Sequence, residues 1–458
     1  MLYISEILAQ FVHQLRYEDI PAGVRERAKE LMLDAVGIAF ASTTFEFADR
    51  ALAGLKFFGT GTRGVIGLPA KLALRDAAVM NGVLIHGLDY DDTHLEGVVH
   101  ASASCFSCAL GMAAEMNSSG RDLVVAYIAG LEAIARIGMV ARGGLHLNGL
   151  HPTGTIAAFA SSLIAGKLMG LDAGQLVMAQ GNALSTSASS SRQYSSEGAW
   201  TKRLHPGWGA AAGITAAAMA RGGFIGPKQV YEGEYSVYRT LTGGHYDNCD
   251  LALATKGLGE VWESARVAIK PIPACHLVHA CSDAAVALAG ANRFKGADVK
   301  SIRALVPKQA IPIVCEPAAQ RRRPVSGYAA QFSIYHAIAA SLVRGKLGLA
   351  EMEPAVYNDP AILALGDKVT YEADPASEYP KYFSGELVVT MNDGRELRHR
   401  ERINRGAADR PILRADIVIK YLDNAQMAIS RERAEKVRDT VLGAECISAQ
   451  ALEAVLAG

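Results

Sequence analysis

Gly209–Gly223 reads GAAAGITAAAMARGG, and how this stretch is taken decides the fold class. Alanine has the highest helix propensity, and small side chains let helices approach closely. A helix this small and apolar would also suit a membrane. Its short length and the flanking Lys202, Arg203 and Arg221 instead predict a buried core helix of a soluble bundle. Working outward, the same Ala-, Leu- and Gly-rich texture runs from Ser5 to about Arg221. It predicts helices over 22–41, 73–88, 103–116, 122–141, 155–169, 172–184 and 209–221.

Near residue 268 the texture changes. Ser301–Val314, Lys368–Glu372 and Glu386–Met391 alternate or run in β-branched residues, which predicts strands. Asn392-Asp393-Gly394 is a hairpin signal with Leu397–Arg402 as its return strand. Helices are expected between them at 280–291 and 327–345, and again after Pro411 at 412–441 and 446–456. The chain is therefore expected to be mainly α. A large all-helical domain (1–267 with 408–458) carries a smaller inserted α+β domain (268–407).

Half the residues are apolar and a fifth are charged, the balance of a packed globular chain rather than a disordered one. Forty-six basic residues offset forty-six acidic ones, so no global charge favours nucleic acid or an anionic membrane. An anionic ligand has to be attracted by a local cluster. No charge-free run of about 18 apolar residues is present, and none is taken as a membrane span. Residues 1–16 lack a basic stretch and a small-residue cleavage site, and the seven cysteines are scattered, so a reducing cytoplasm is expected.

Three segments share one design, a histidine just upstream of a predicted helix start. His100 precedes Ala101-Ser102-Ala103-Ser104, where either serine can cap. His151 precedes Pro152-Thr153-Gly154-Thr155, and His205 precedes Pro206-Gly207-Trp208. Helix N-termini suit carboxylates and disfavour imidazolium, which leaves a nearby histidine neutral and able to act as a base. One histidine before a helix start is ordinarily part of a turn; three, with Lys202 and Arg203 beside the last, point to a site. Asp89-Tyr90-Asp91-Asp92-Thr93 holds three carboxylates in four positions. A divalent-metal site, ordinary turn roles, and a platform in which Asp89 orients a base while Thr93 donates to substrate are all open. Lys270-Pro-Ile-Pro-Ala-Cys-His276, followed by His279, lies where the texture changes. It is either a stiffened linker or the far wall of an interdomain site. Cys105 and Cys108 read as structural thiols, and Arg321-Arg322-Arg323 as a solvated loop.

The chain resembles the MmgE/PrpD family, which includes 2-methylcitrate dehydratase, cis-aconitate decarboxylase and iminodisuccinate epimerase. The resemblance runs through His86-Gly-Leu-Asp-Tyr-Asp-Asp-Thr93, Gly149-Leu-His-Pro-Thr-Gly-Thr155, Gly198-Ala-Trp-Thr-Lys-Arg-Leu-His-Pro-Gly207 and Lys270-Pro-Ile-Pro273. It implies a helical domain from both chain ends, an α+β lid, a homodimer, and an interdomain site without metal or organic cofactor. It places catalytic roles on Asp89, Thr93, His100, His151 and Lys202, and a lid histidine on His279. Lys270, Arg203, His205 and His336 are further candidate substrate contacts. Two positions depart from the family pattern. Ala101 stands where a proline often follows the histidine, and His336 stands where a tyrosine often follows Phe332-Ser333.

The family's reactions share a carbanion-like step beside a carboxylate. The expectation is a lyase acting on a small polycarboxylate. A 2-methylcitrate dehydratase-like hydro-lyase comes first, a decarboxylase or epimerase is the alternative, and a non-catalytic carboxylate sensor comes last. His100 is expected to move the proton, oriented by Asp89, while Lys202, His151 and His279 hold carboxylates.

Overall fold

The alanine-rich segment is a helix, and it begins at Thr201 rather than Gly209, running to Arg221. Its glycines set the packing. A Cβ on Gly207 would fall 2.3 Å from the Val79 carbonyl oxygen, and one on Gly213 would fall 2.5 Å from Ser161 Cβ. The helix therefore lies backbone-close against Leu74–His86 on one side and Pro152–Leu168 on the other. The computed structural model describes residues 2–188, 190–194, 199–292 and 294–458; Gly198, the first residue of the third quoted motif, lies outside them.

Helices Ala22–Ser42, Ala101–Glu115 and Gly120–Val140 complete this helical body. The C-terminal helices Arg414–Ala425, Arg431–Leu442 and Ala449–Leu456 return to it, placing Tyr421, Val437 and Leu452 in the same hydrophobic cluster. Gly120–Val140 is long and apolar enough to cross a membrane, yet its most apolar window is 100% buried inside the molecule. The buried Arg136 on this helix pairs with Glu132 at 3.1 Å and donates to the Lys256 and Val261 carbonyls.

A second hydrophobic cluster gathers residues between Ala268 and Ala407. Its four-stranded sheet has the order Val369–Ala373, Val299–Val306, Gly385–Met391, Glu396–Glu401. The first pair is parallel and the others antiparallel. The hairpin forms at the expected place, with Gly394 at φ 86°. The chain is mainly helical with few strands, as the texture indicates, but the part expected to be all-helical is not, since Arg63–Val65 and Leu68–Leu72 pair there as an antiparallel hairpin.

Several boundaries differ from expectation. The strand ends at Val306, because Pro307 and Pro312 break the ladder and helical turns follow through Cys315. The helix expected from 280 begins at His276, so His276 and His279 lie inside it. Ser102 and Ser104 do not cap the helix after His100. Asp92 does, its Oδ1 accepting from Ala101 N at 3.1 Å and Ser102 N at 3.0 Å. Arg321 is buried, and Arg322 donates to the carbonyls of Gly366, Asp367 and Val369, so these two arginines tie the second cluster together, while Arg323 is exposed and pairs with Asp367.

Candidate active site

The loop between Leu74–His86 and Ala101–Glu115 carries the acidic motif across the face where the two clusters meet. Its backbone is fixed from both sides. Thr93 and Ala268 exchange two 2.8 Å hydrogen bonds, Gln331 donates to the Leu88 carbonyl at 2.6 Å, and Arg203 donates to the Gly87 carbonyl at 2.6 Å. Asp89 at φ 48° and Val98 at φ 53° both adopt the left-handed region, where a β-branched residue is strained. Both residues line a cavity that opens to solvent, with about 650 Å³ of empty space when that open solvent is counted.

Of the residues expected from sequence, Asp89, Thr93, His100, His151, Lys202 and Lys270 come together around this cavity. His100 and His151 occupy N-cap positions of their helices, as expected. Lys202 sits in the first turn of its helix, is buried, and pairs with Asp89 Oδ1. Lys270 approaches Asp89 from the second cluster, 2.8 Å from its carbonyl and 3.3 Å from Oδ1. Burial alone would raise the Asp89 carboxyl, but Lys202 and Lys270 outweigh it and hold it well below the usual carboxylate range.

Asp89 is thus committed to two ammonium groups and lies 3.9 Å from His100 Nε2, too far to orient that ring. The Asp92 carbonyl, which accepts from its Nδ1, orients the ring instead, with the Asp91 carboxylate beside it in ion-pair range. His100 Nδ1 is 3.0 Å from the Asp92 carbonyl and 3.3 Å from Asp91 Oδ1. Both are acceptors, so Nδ1 carries the hydrogen and Nε2 is bare on the cavity side. Burial, then Lys202 and Lys270, lower the His100 imidazole against the pull of Asp91, keeping it neutral near pH 7. Burial and Lys202 hold His151 well below its ordinary value. The Thr93 hydroxyl is buried without a protein partner, leaving a donor for a bound ligand.

The other four candidates do not line the cavity. Arg203 is sandwiched between Phe47 and Tyr328, at 4.3 and 4.2 Å from their ring centres. His205 stands behind His151, Nδ1 to Nδ1 at 3.0 Å, and lies inside its helix because Pro206 is accommodated near the helix start. His279 lies one turn behind His276 and bonds the Ala274 carbonyl at 3.1 Å. His336 bonds the Glu351 carbonyl at 2.9 Å within the second cluster.

His276 takes the wall position expected of His279, its Nε2 accepting from Asn404 at 2.8 Å. It ended the Lys270–His276 string, but placing the helix start too late hid its orientation. His146, Arg192, Tyr194 and Tyr379 also line the cavity, and they come from segments with no recognisable pattern. His86, Asp89, Asp91 and His100 put possible ligand atoms within 4.8 Å of one another. Two ammonium groups on Asp89 oppose a divalent cation there, and Asp91 Oδ2 is taken by the His86 N–H.

The fold and site describe a two-cluster helical protein enclosing a cationic, histidine-lined cavity. Residues 6–249 match the MmgE/PrpD N-terminal domain and 272–444 the MmgE/PrpD C-terminal domain. The chain belongs to the MmgE/PrpD family. It is 28% identical to a cis-aconitate decarboxylase-like protein, oryM, of Aspergillus oryzae, over 96% of this chain and 94% of the relative. It is likewise 28% identical to the cis-aconitate decarboxylase of Aspergillus terreus (96% and 93%) and to that of Homo sapiens (95% and 90%).

Proposed function

We propose that this chain is a carboxy-lyase acting on a small unsaturated tricarboxylate of the cis-aconitate class. The observation that carries this reading is the near-full-length similarity to cis-aconitate decarboxylases, which favours decarboxylation over the hydro-lyase reaction placed first from sequence. The cavity supports it. Among the described residues, Lys202 and Lys270 line it against one carboxylate, Asp89, so a polyanion is attracted. Leu277, Ile313, Phe332 and Phe383 supply an apolar wall, and loss of CO₂ is favoured where a carboxylate is poorly solvated.

In this reading the carbon–carbon bond to the leaving carboxylate breaks, and its electron pair moves into the neighbouring unsaturated carboxylate. Lysine ammonium groups and the Thr93 hydroxyl stabilise the charge that develops there. His100 Nε2, loaded from solvent and backed by Asp91, then delivers one proton to carbon. The products are CO₂ and an unsaturated dicarboxylate. Residues 268–407 act as a lid over 1–267 with 408–458, since both parts line the cavity. The assembly is a homodimer, a reading supported by the exposed apolar positions Leu204, Trp208 and Met219 along one helix; light scattering at twice the chain mass would agree with it, and at the chain mass would refute it.

The reaction is tested with purified protein and a panel of di- and tricarboxylates followed by NMR in D₂O. The proposal expects CO₂ release from a cis-aconitate-class compound. Loss of a C–O bond, or α-deuteration alone, would assign a hydro-lyase or an epimerase instead.

A further inference from the structure

Asp91 serves two imidazoles, and only one of them reaches the cavity. Its Oδ1 is 3.3 Å from His100 Nδ1, an ion-pair contact without hydrogen-bond geometry, while its Oδ2 accepts a 2.8 Å hydrogen bond from Nδ1 of His86. His86 ends the helix Leu74–His86, is 1% exposed and does not line the cavity. Its other nitrogen, Nε2, is buried without a hydrogen-bond partner. Its ring stacks on His151 at 5.5 Å and meets His100 edge-on at 4.6 Å. A buried imidazole kept only for packing has no need of an ionised carboxylate, and desolvating both is costly. A shared carboxylate does have a consequence for His100.

We propose that His86 is a positioning residue that sets, through Asp91, the proton affinity of His100; this rests on His100 being the proton carrier proposed above. A carboxylate is acceptor-only, so both Nδ1 atoms carry hydrogens and His86 is a neutral donor to Asp91. That donor fixes the Asp91 rotamer and absorbs part of its charge. Asp91 then stabilises a His100 imidazolium less than an undivided carboxylate would, leaving His100 a stronger acid once loaded.

The other charges around the trio act in a known sense. Lys202 and Lys270 face His100 from the cavity and oppose its protonation. Asp89 stands 3.9 Å from His100 Nε2, and His151 packs on both rings. Behind Asp91 lie Asp92 and the Asp34–Lys420 pair, which joins helices Ala22–Ser42 and Arg414–Ala425 at 2.6 Å.

The test is an NMR titration of the histidine rings in the full chain, without substrate, in wild type and in His86→Leu and His86→Asn. Wild-type His86 is expected as the neutral Nδ1–H tautomer through pH 6. His86→Leu removes the donor and raises the His100 pKa by about one unit, a tenfold gain in proton affinity. His86→Asn, which can return an N–H to Asp91, moves it back toward wild type. The same upward shift appears in the kcat–pH profile, with KM changed less than about threefold. An unmoved His100 titration in folded His86→Leu would overturn the proposal. So would an Nε2–H tautomer of His86 in wild type, a measurement that requires no variant to fold. Because the titration needs no turnover, absence of CO₂ release would count against the reaction and not against this linkage.

Discussion

His100 has one ring nitrogen committed to Asp92 and Asp91 and the other facing the cavity, the arrangement of a group that exchanges protons rather than one that only holds. His100→Gln is therefore expected to cut turnover by at least about 10² with a smaller change in KM, and the limb of the pH profile due to this group should vanish. His151, with Nδ1 on His205, should behave as a binding residue, so His151→Gln changes KM more than kcat. Reversed effects would exchange the two roles. Lys202 is more deeply placed than its position beside a predicted helix start suggested. Lys202→Ala should weaken substrate binding by about 1.5–3 kcal/mol. It should also lower the melting temperature, since Asp89 keeps only Lys270. Wild-type Michaelis constants in that variant would remove lysine from the carboxylate clamp. Asp89, Thr93 and His151 were legible because they stand in long motif strings, and His100 because it precedes a helix start. That the Asp92 carbonyl rather than Asp89 orients His100 was not, because it depends on Lys202 and Lys270 converging on Asp89 from distant segments.

Helix existence was readable from alanine and leucine patterning, and the starts at Ala22, Leu74 and Ala173 fall within a residue of expectation, but other starts do not. Asp92 caps a helix from nine residues upstream, and Pro206 sits within the helix it was expected to open. Neither signal is local. Strands of the second cluster were placed within a few residues by β-branched texture, except where Pro307 and Pro312 turn the chain, whereas the short Arg63–Val65 and Leu68–Leu72 pair was not expected. Glycine roles follow from packing. Gly54 and Gly213 both lie in helices, where replacing glycine by alanine ordinarily gains about 0.5–1 kcal/mol. Gly54 has nothing within 4 Å of an added Cβ, whereas at Gly213 that atom would meet Ser161 Cβ at 2.5 Å and the Ala158 carbonyl oxygen at 2.6 Å. Gly54→Ala should raise stability by that increment, and Gly213→Ala should lower it by about 1–3 kcal/mol. Denaturant unfolding of the two variants checks the opposite signs; a stabilised Gly213→Ala would mean these helices are not in close contact.

At the scale of the molecule, burial of so many histidines makes the fold acid-sensitive. His86, His100, His151 and His276 are held below 6.5 in the folded chain, first by burial. As pH falls below about 6.5 the unfolded chain takes up protons that the folded one refuses, so stability declines toward about 4, the value His86 reaches. Asp89 and Asp91, held below the usual carboxylate range, add a loss below about pH 4. Asp34 and Asp92, raised by burial, act in the opposite sense and offset part of the effect. The melting temperature should be lower at pH 5 than at pH 7.5, and a flat or inverted profile would contradict the assigned protonation states. The change of texture near 268 coincides with the start of the second hydrophobic cluster, while the cavity's far wall, with His276, Tyr379 and Phe383, exists only once the two clusters meet.

The most direct test of the proposed reaction uses cis-aconitate carrying ¹³C in every carboxyl group, incubated with the purified protein in D₂O and followed by ¹³C NMR. Decarboxylation in this cavity predicts one labelled CO₂ or bicarbonate for each substrate consumed, with one deuterium on the product carbon. Consumption of substrate with all three labelled carboxyl groups retained, or no consumption at all, would contradict it.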